Sequence, residues 1–295
     1  MKRKQAEKIR KKMKTIKNRE GLVVKVISNQ FYVNIDGKEI ITTEKGLLRH
    51  NKTLPLVGDK VLVDLEKKVI VEILPRKNEI LRPNVSNITQ AFIVTSLKHP
   101  DFSTNLLDKL IVQLEINKIK PVICLTKIDL IDNFNDYNDI FKYYQELGYL
   151  VLTNLEIDKI KKTLEGEITV FIGQTGAGKS TLLNKLFPSL NLKTGEISLA
   201  LGRGRHTTRY TQIIQFDNIK VLDSPGFSAL SFLKYQKEDV KNSFLEFSKY
   251  PCIYSDCSHI KESECNVKKA VNNGKILKSR YENYLTFINE FENRR

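Results

Sequence analysis

Between residues 21 and 74 apolar and polar positions alternate in short runs, GLVVKVIS, FYVNI, EIITT, KVLVDL and KVIVEIL. Turn residues separate them at Asp36-Gly37 and, after Pro55, at Gly58-Asp59. Five such runs with no helical repeat predict a small β-barrel. Pro75 and Pro83 then bracket PRKNEILRP, a polar and basic stretch that reads as a linker over 75–87. From residue 88 the period changes. ITQAFIVTSL predicts a buried strand, and behind it Leu106, Leu107, Leu110, Ile111 and Leu114 recur at helical spacing. KPVICL, GYLVLT, EITVFIG, TQIIQFD and IKVLD supply further strands, with helices between several of them. That alternation predicts a parallel sheet covered on both faces, with function in the loops at the carboxyl ends of its strands. After about residue 234 the strands stop. A helix is expected near 238–249, then a Cys/His cluster, then a last helix whose stripe of Tyr281, Tyr284, Leu285 and Ile288 packs on its own domain.

Composition adds bounds. With 295 residues and 41% hydrophobic content the chain can fill two or three cores, which excludes wholesale disorder. No run approaches the ~20 apolar residues of a membrane span, and the N-terminus has no apolar secretory core, so a cytoplasmic protein without membrane contact is expected. Lys and Arg exceed Asp and Glu by 49 to 34, and the first 19 residues hold ten Lys/Arg against one Glu. A phosphate-rich partner fits that charge through counterion release; a solvated basic tail fits it as well. Four cysteines in a cytosolic chain argue against a disulfide framework. Cys124 lies in an apolar run, whereas Cys252, Cys257 and Cys265 gather around His259.

Three segments carry nucleotide chemistry. Gly173-Gln174-Thr175-Gly176-Ala177-Gly178-Lys179-Ser180 follows a strand and, through Thr181, opens a helix. Glycines at that spacing let backbone N–H groups and the helix N-terminus surround phosphates, with Lys179 reaching the β/γ-phosphates and Ser180 ligating Mg²⁺. Asp223-Ser224-Pro225-Gly226 ends a second strand, where the acid can hold Mg²⁺ through water and the Gly226 N–H can meet the γ-phosphate. Thr126-Lys127-Ile128-Asp129 ends a third. A carboxylate at Asp129 can accept both N1–H and N2–H of guanine, a pair of donors adenine lacks in that arrangement. This base motif precedes the phosphate loop by 44 residues, the reverse of the usual GTPase order. Farther on, Cys252, Cys257, His259 and Cys265 offer three thiolates and an imidazole, a complete set for a closed, structural Zn²⁺ site in a domain with little core of its own.

TKID, then the phosphate loop, GRGRHTTR at 202–209 and DSPG, with LRPNVSN before them and CxxxxCxHxxxxxC after, run from about residue 21 to the C-terminus. On these motifs the chain resembles the circularly permuted GTPases, and most closely the ribosome small-subunit biogenesis GTPases of the RsgA family. The resemblance implies a multi-domain α/β protein. An OB-fold barrel would occupy 21–74, a permuted GTPase domain 88–233 and a helical zinc-binding domain 234–295, separately cored from the phosphate loop. The basic tail over 1–20 is not a general feature of that family. Also implied are GTP, Mg²⁺ and one structural Zn²⁺, the 30S subunit and its 16S rRNA as partners, a monomer, and GTP hydrolysis stimulated by 30S during late subunit maturation.

The sequence departs from the common GTPase pattern at several positions. Thr126 stands where many GTPases have Asn, which removes an amide from the base contact, and Thr153-Asn154 occupies the place of the motif that backs the guanine. Gly226 is followed by Phe227 and Ser228, so the Gln that usually orients the attacking water is missing. By resemblance His206 takes that role; the other reading makes it a phosphate or RNA contact. Thr208 is the preferred Mg²⁺ ligand beside Ser180, with Thr207 the alternative. Two rival functions remain: a P-loop ATPase acting on nucleic acid, against which Asp129 argues, and an RNA-binding assembly factor that uses nucleotide only as a switch.

Overall fold

The computed structural model describes residues 18–44, 54–81, 84–190, 211–223 and 235–292, which fall into two compact units. One draws on Met1–Ile88, Leu164–Thr169 and Ser198–Gly226; the other on Thr89–Thr163, Val170–Ile197 and Phe227–Arg295. Among the described residues no helix is long and apolar enough to cross a membrane.

In the first unit β1 (Asn18–Ile27), β2 (Gln30–Ile35), β3 (Lys38–Glu44), β4 (Lys60–Asp64) and β5 (Val69–Ile73) form the barrel. Antiparallel pairs join β1 to β2, β2 to β3 and β4 to β5; the parallel β3–β5 pair and the antiparallel β1–β4 pair close it. Strict alternation along β2 turns Phe31, Val33 and Ile35 inward, where they meet Val23, Val61, Val63 and Ile70. Gly21 is required on β1 because a Cβ there would collide with Val33 and Ile35. A bulge between Val23 and Lys25 bends β1, as barrel closure demands.

The stretch read as a linker is instead ordered. β6 (Glu79–Leu81) and β7 (Asn84–Ser86) pair as an antiparallel ribbon, and a fully buried carboxylate ties it to the barrel. Arg76 Nε and Nη2 donate to Asp59 Oδ1 and Oδ2 at 2.8 and 2.7 Å, while Ser86 Oγ donates to Oδ1 at 2.5 Å and the Leu56 N–H to Oδ2 at 2.7 Å. Arg76 and Ser86 here serve one buried anion, which composition alone does not reveal. The last strands, β12 (Gln212–Phe216) and β13 (Ile219–Asp223), also differ from expectation. Only Asp217 and Asn218 separate them, so they form an antiparallel hairpin and not a further parallel step. The β12 edge pairs with β1 at Lys25 and Gln212.

The second unit holds the parallel strands β8 (Gln90–Ser96), β9 (Lys120–Thr126) and β10 (Leu150–Thr153), with β11 (Ile168–Ile172) next to β8. Helices α1 (Thr104–Ile116), α2 (Asn135–Glu146), α3 (Ile157–Leu164) and α4 (Lys179–Leu186) accompany them. Leu107, Leu110, Ile111 and Leu114 are buried on α1 as predicted, and Ser103 caps its first turn by accepting from the Leu106 N–H. Cys124 is a core thiol, pushed up to about 12 by burial and then by Glu156.

Toward the C-terminus the expected helix over 238–249 is the shorter α5 (Lys237–Asn242), followed by a 3₁₀ turn at Leu245–Lys249. α6 (Asn266–Asn272) and α7 (Lys278–Glu292) complete the chain's described part. Tyr284 and Ile288 are buried and Tyr281 and Leu285 partly so, in one cluster with Val240, Phe244, Phe247, Val267 and Phe287. That cluster also contains Val112 of α1, so the region packs on α1.

Breaking a buried ion pair strands the remaining charge. Arg76→Met is therefore expected to lower stability by about 3–5 kcal/mol in urea unfolding of the full chain. A loss below about 1 kcal/mol would show that the ribbon is held by other contacts.

Candidate nucleotide site and metal centre

β11 ends in Gly173, whose φ of 140° belongs to glycine and whose missing Cβ would strike the Val94 carbonyl of β8. This close approach starts the loop between two strands. Gly176 and Gly178 also have positive φ, 79° and 93°, and Gly178 leads directly into α4 at Lys179. Gln174, Thr175, Gly176 and Thr181 are exposed, Ala177 is buried, and Ser180 stands half-exposed in the first turn of the helix. The Lys179 ammonium donates to the Gly173 and Gln174 carbonyls at 2.7 and 2.6 Å, and burial lowers its pKa. A cation drawn partly out of water beside the first turn of a helix is suited to an anionic ligand.

β9 ends at Thr126, beside the Ser96 end of β8. Its buried hydroxyl donates to the Ala177 carbonyl at 2.6 Å, so the base motif and the phosphate loop are tied together. Sequence reasoning counted Thr126 as a lost amide; the structure shows what the hydroxyl does. Lys127 takes a left-handed conformation and its ammonium donates to the His99 carbonyl, in the turn before α1. Ile128 and Asp129 lie in a 3₁₀ turn, with Asp129 exposed. Thr153 and Asn154 run alongside: Thr153 pairs with Leu125 across β10 and β9, and the Asn154 N–H donates to the Leu125 carbonyl at 2.8 Å. Asp223 is the last residue of β13. His206, Thr207, Thr208 and Gly226 lie outside the described residues, as does nearly all of the basic tail.

The four residues of the Cys/His cluster come together, their ligand atoms all within 4.8 Å of one another. Cys252 Sγ lies 3.7 Å from Cys265 Sγ, and His259 Nδ1 lies 3.5 and 3.4 Å from those two sulfurs. Tetrahedral zinc bonds of about 2.3 Å to sulfur and about 2.0–2.1 Å to nitrogen span edges of about 3.8 and 3.6 Å, so the donor set fits such an ion. Burial, then the Lys241 ammonium, lowers the His259 pKa and favours the neutral imidazole a metal needs. Burial raises Cys252, but hydrogen bonds from the Val267 and Asn266 backbone outweigh it and hold the thiol below its ordinary value. Around the cluster, Tyr284 and Tyr281 donate to the Ser258 and His259 carbonyls at 2.5 and 2.7 Å. Glu262, three residues from two ligands, was not singled out in the sequence. Its carboxylate accepts from the Ser258 N–H and Oγ, both at 2.8 Å, and from the Ile260 N–H at 3.0 Å, which shapes the turn around His259. A Ser followed four residues later by Glu between two ligands was the available signal.

A sequence model described as the RsgA GTPase matches residues 73–233, and one described as the RsgA N-terminal domain matches 20–70. This chain belongs to the RsgA GTPase family. It is accordingly a GTP-hydrolysing enzyme with a circularly permuted GTPase domain behind its barrel. Among its relatives is the small ribosomal subunit biogenesis GTPase RsgA of Enterococcus faecalis, 43% identical over 94% of this chain and 96% of that protein. The RsgA of Streptococcus agalactiae is 42% identical over the same shares. Two solved structures are similar at 34% identity. YjeQ from Thermotoga maritima has a TM-score of 0.83 over 94% of this chain and all of that one; YloQ, described as a circularly permuted GTPase, has 0.79 over 94% and 96%. The RsgA GTPase match stops at residue 233, so the Cys/His cluster is supported by its own geometry.

Burial acts to raise Glu262, but N–H donors from Ser258 outweigh it and bring its pKa down to about 2. A depressed folded value gives stability that is complete above the unfolded value of about 4.3 and lost as pH falls toward 2. Thermal unfolding between pH 2 and 5 is expected to show Glu262→Gln losing this acid dependence. An unchanged pH slope in the variant would remove Glu262 from the turn's support.

Proposed function

We propose that the chain matures the small ribosomal subunit, binding 30S and its 16S rRNA and hydrolysing GTP on it as a cytoplasmic monomer. The observation that carries this is the Thr126 hydroxyl on Ala177, which unites a guanine-reading motif with a phosphate loop in one site. Relatives named as small ribosomal subunit biogenesis GTPases support the partner. In this reading the barrel over 21–74 and the zinc domain over 234–295 face the subunit, residues 75–87 join the barrel to the GTPase domain over 88–233, and the tail over 1–20 adds charge.

Asp129 would accept guanine N1–H and N2–H, with Thr126, Lys127 and Ile128 holding it at the strand end. The N–H groups from Gly173 through Gly178, including Gln174, Thr175, Gly176 and Ala177, would surround the β-phosphate, with Lys179 shared between β and γ and Thr181 at the helix start. Ser180 and Thr208 would hold Mg²⁺ directly and Asp223 through water; the ion neutralises phosphate charge when bound. Gly226 would donate its N–H to the γ-phosphate, and His206 would orient the water. Cys252, Cys257, His259 and Cys265 would hold one structural Zn²⁺. Without the usual Gln, turnover is slow until the subunit completes the site.

The direct test is GTP hydrolysis with and without purified 30S subunits. Stimulation is expected, and in His206→Ala it falls about 100-fold or more while GTP affinity stays near parental, the scale of losing a group that positions or transfers a proton. No stimulation in the parent would reject the proposed partner; unchanged stimulated turnover in the variant would return His206 to a contact role.

Base choice has its own test. Asp129→Asn is expected to weaken GTP binding and improve that of xanthosine triphosphate, because the amide donates where xanthine accepts. Equal GTP affinity in variant and parent would remove Asp129 from the base.

A further inference from the structure

We propose that helix α1 couples the nucleotide site to the metal-bearing helical region through a buried ionic lock on α7. The proposal rests on reading Gly173–Ser180 as the nucleotide loop. At the N-terminal end of α1, the turn that precedes it reaches that loop: Pro100 Cδ lies 3.7 Å from where a Gly176 Cβ would stand, and Lys127 of the base motif holds the His99 carbonyl. Ser103 then caps the helix, which fixes the turn to its axis.

One turn farther on, Asp108 is fully buried. Its Oδ1 accepts from Arg280 Nη1 at 2.6 Å and from the Tyr144 hydroxyl at 2.5 Å; its Oδ2 accepts from Asn283 Nδ2 at 2.7 Å. Arg280, also fully buried, donates from Nε to Glu246 at 2.5 Å and covers the Phe244 ring at 4.8 Å. Asn105 bonds Asn283 at 3.0 Å, Lys109 pairs with Glu290 at 2.8 Å, and Val112 enters the C-terminal core. α1 therefore meets α7 along most of its length. From α7, Tyr281 and Tyr284 reach the carbonyls of His259 and Ser258 at the metal centre.

A lock of this kind has little tolerance for sliding, because moving α7 by a fraction of a hydrogen bond leaves buried charges unpaired. Ligand at the loop that orders the Lys98–Phe102 turn thus orders α7 as well, and by reciprocity a loosened lock weakens the ligand by the same factor.

Amide hydrogen exchange on the full chain, with and without GDP, tests this. Protection of Lys278–Glu292 is expected to rise with GDP in the parent. In Tyr144→Phe and Asn283→Ala, which keep the Arg280 pairs, that rise shrinks and GDP affinity falls about 5-fold, the low end of measured couplings. Lys278→Ala, on an exposed pair with Glu282, changes neither. A merely structural role lowers the protection of α7 equally with and without GDP; that result, or an α7 indifferent to GDP in the parent, overturns the proposal. Failure of the parent to bind GDP at all would instead overturn the nucleotide reading and this inference with it.

Discussion

Arg280 has no access to water, and neither of the carboxylates it bridges has more than a trace. An isolated guanidinium could not be placed there, nor could either acid, since each would be an uncompensated charge in a medium that solvates it poorly. The three can be buried only together. Burial raises Asp108, and Arg280, Tyr144 and Asn283 act against that rise. Because the members come from α1, α2, the 3₁₀ turn at Leu245–Lys249 and α7, satisfying one requires all four elements in register. Apolar side chains in the same cluster contribute the larger share of burial energy, yet they tolerate sliding. The ionic lock does not, and it decides where α7 stands on α1.

The nucleotide site depends on a different constraint, the approach of one backbone to another. Gly173 meets the Val94 carbonyl with no room for a side chain, so the loop leaves β11 tight against β8. Thr126 then completes the frame from the next strand, since its hydroxyl can donate to Ala177 only if β8 and β9 end together. Three neighbouring strands thus deliver phosphate loop, turn and base motif to one edge of the sheet. Permutation leaves this intact because the sheet requires strands adjacent in space, whatever their order along the chain.

Much of this was legible in the sequence, and what was missed has a common cause. The barrel strands, the glycine loop, TKID and the Cys/His cluster are carried by local patterns: period two, fixed glycine spacing, donor type. The ribbon over Glu79–Ser86 was read as a linker because its polar residues answer to Asp59, far away along the chain and buried only after folding. Asp108 and Arg280 went unremarked for the same reason; each alone is an ordinary charged residue on an amphipathic helix. Thr126 was judged by the amide it lacks, since its acceptor lies 51 residues on. Apolar period likewise could not tell that Val112 belongs to a core built mainly from residues after 239.

The hairpin β12–β13 shows what the permuted order does to the barrel's unit. In sequence GRGRHTTR precedes β12 and DSPG begins at the end of β13, so the antiparallel hairpin lies between the two segments. Its outer strand is joined to β1 at Lys25 and Gln212, and Asn34 on β2 donates to Gln215 at 3.2 Å. Asn34 and Gln215 are exposed, and a hydrogen bond between such groups is worth about 1 kcal/mol or less in water. That exposed bond contrasts with the fully buried charges that bind α1 to α7. The two differ by the physics of burial: an exposed pair exchanges its bond with water at little cost, whereas buried charges cannot part without being left unpaired.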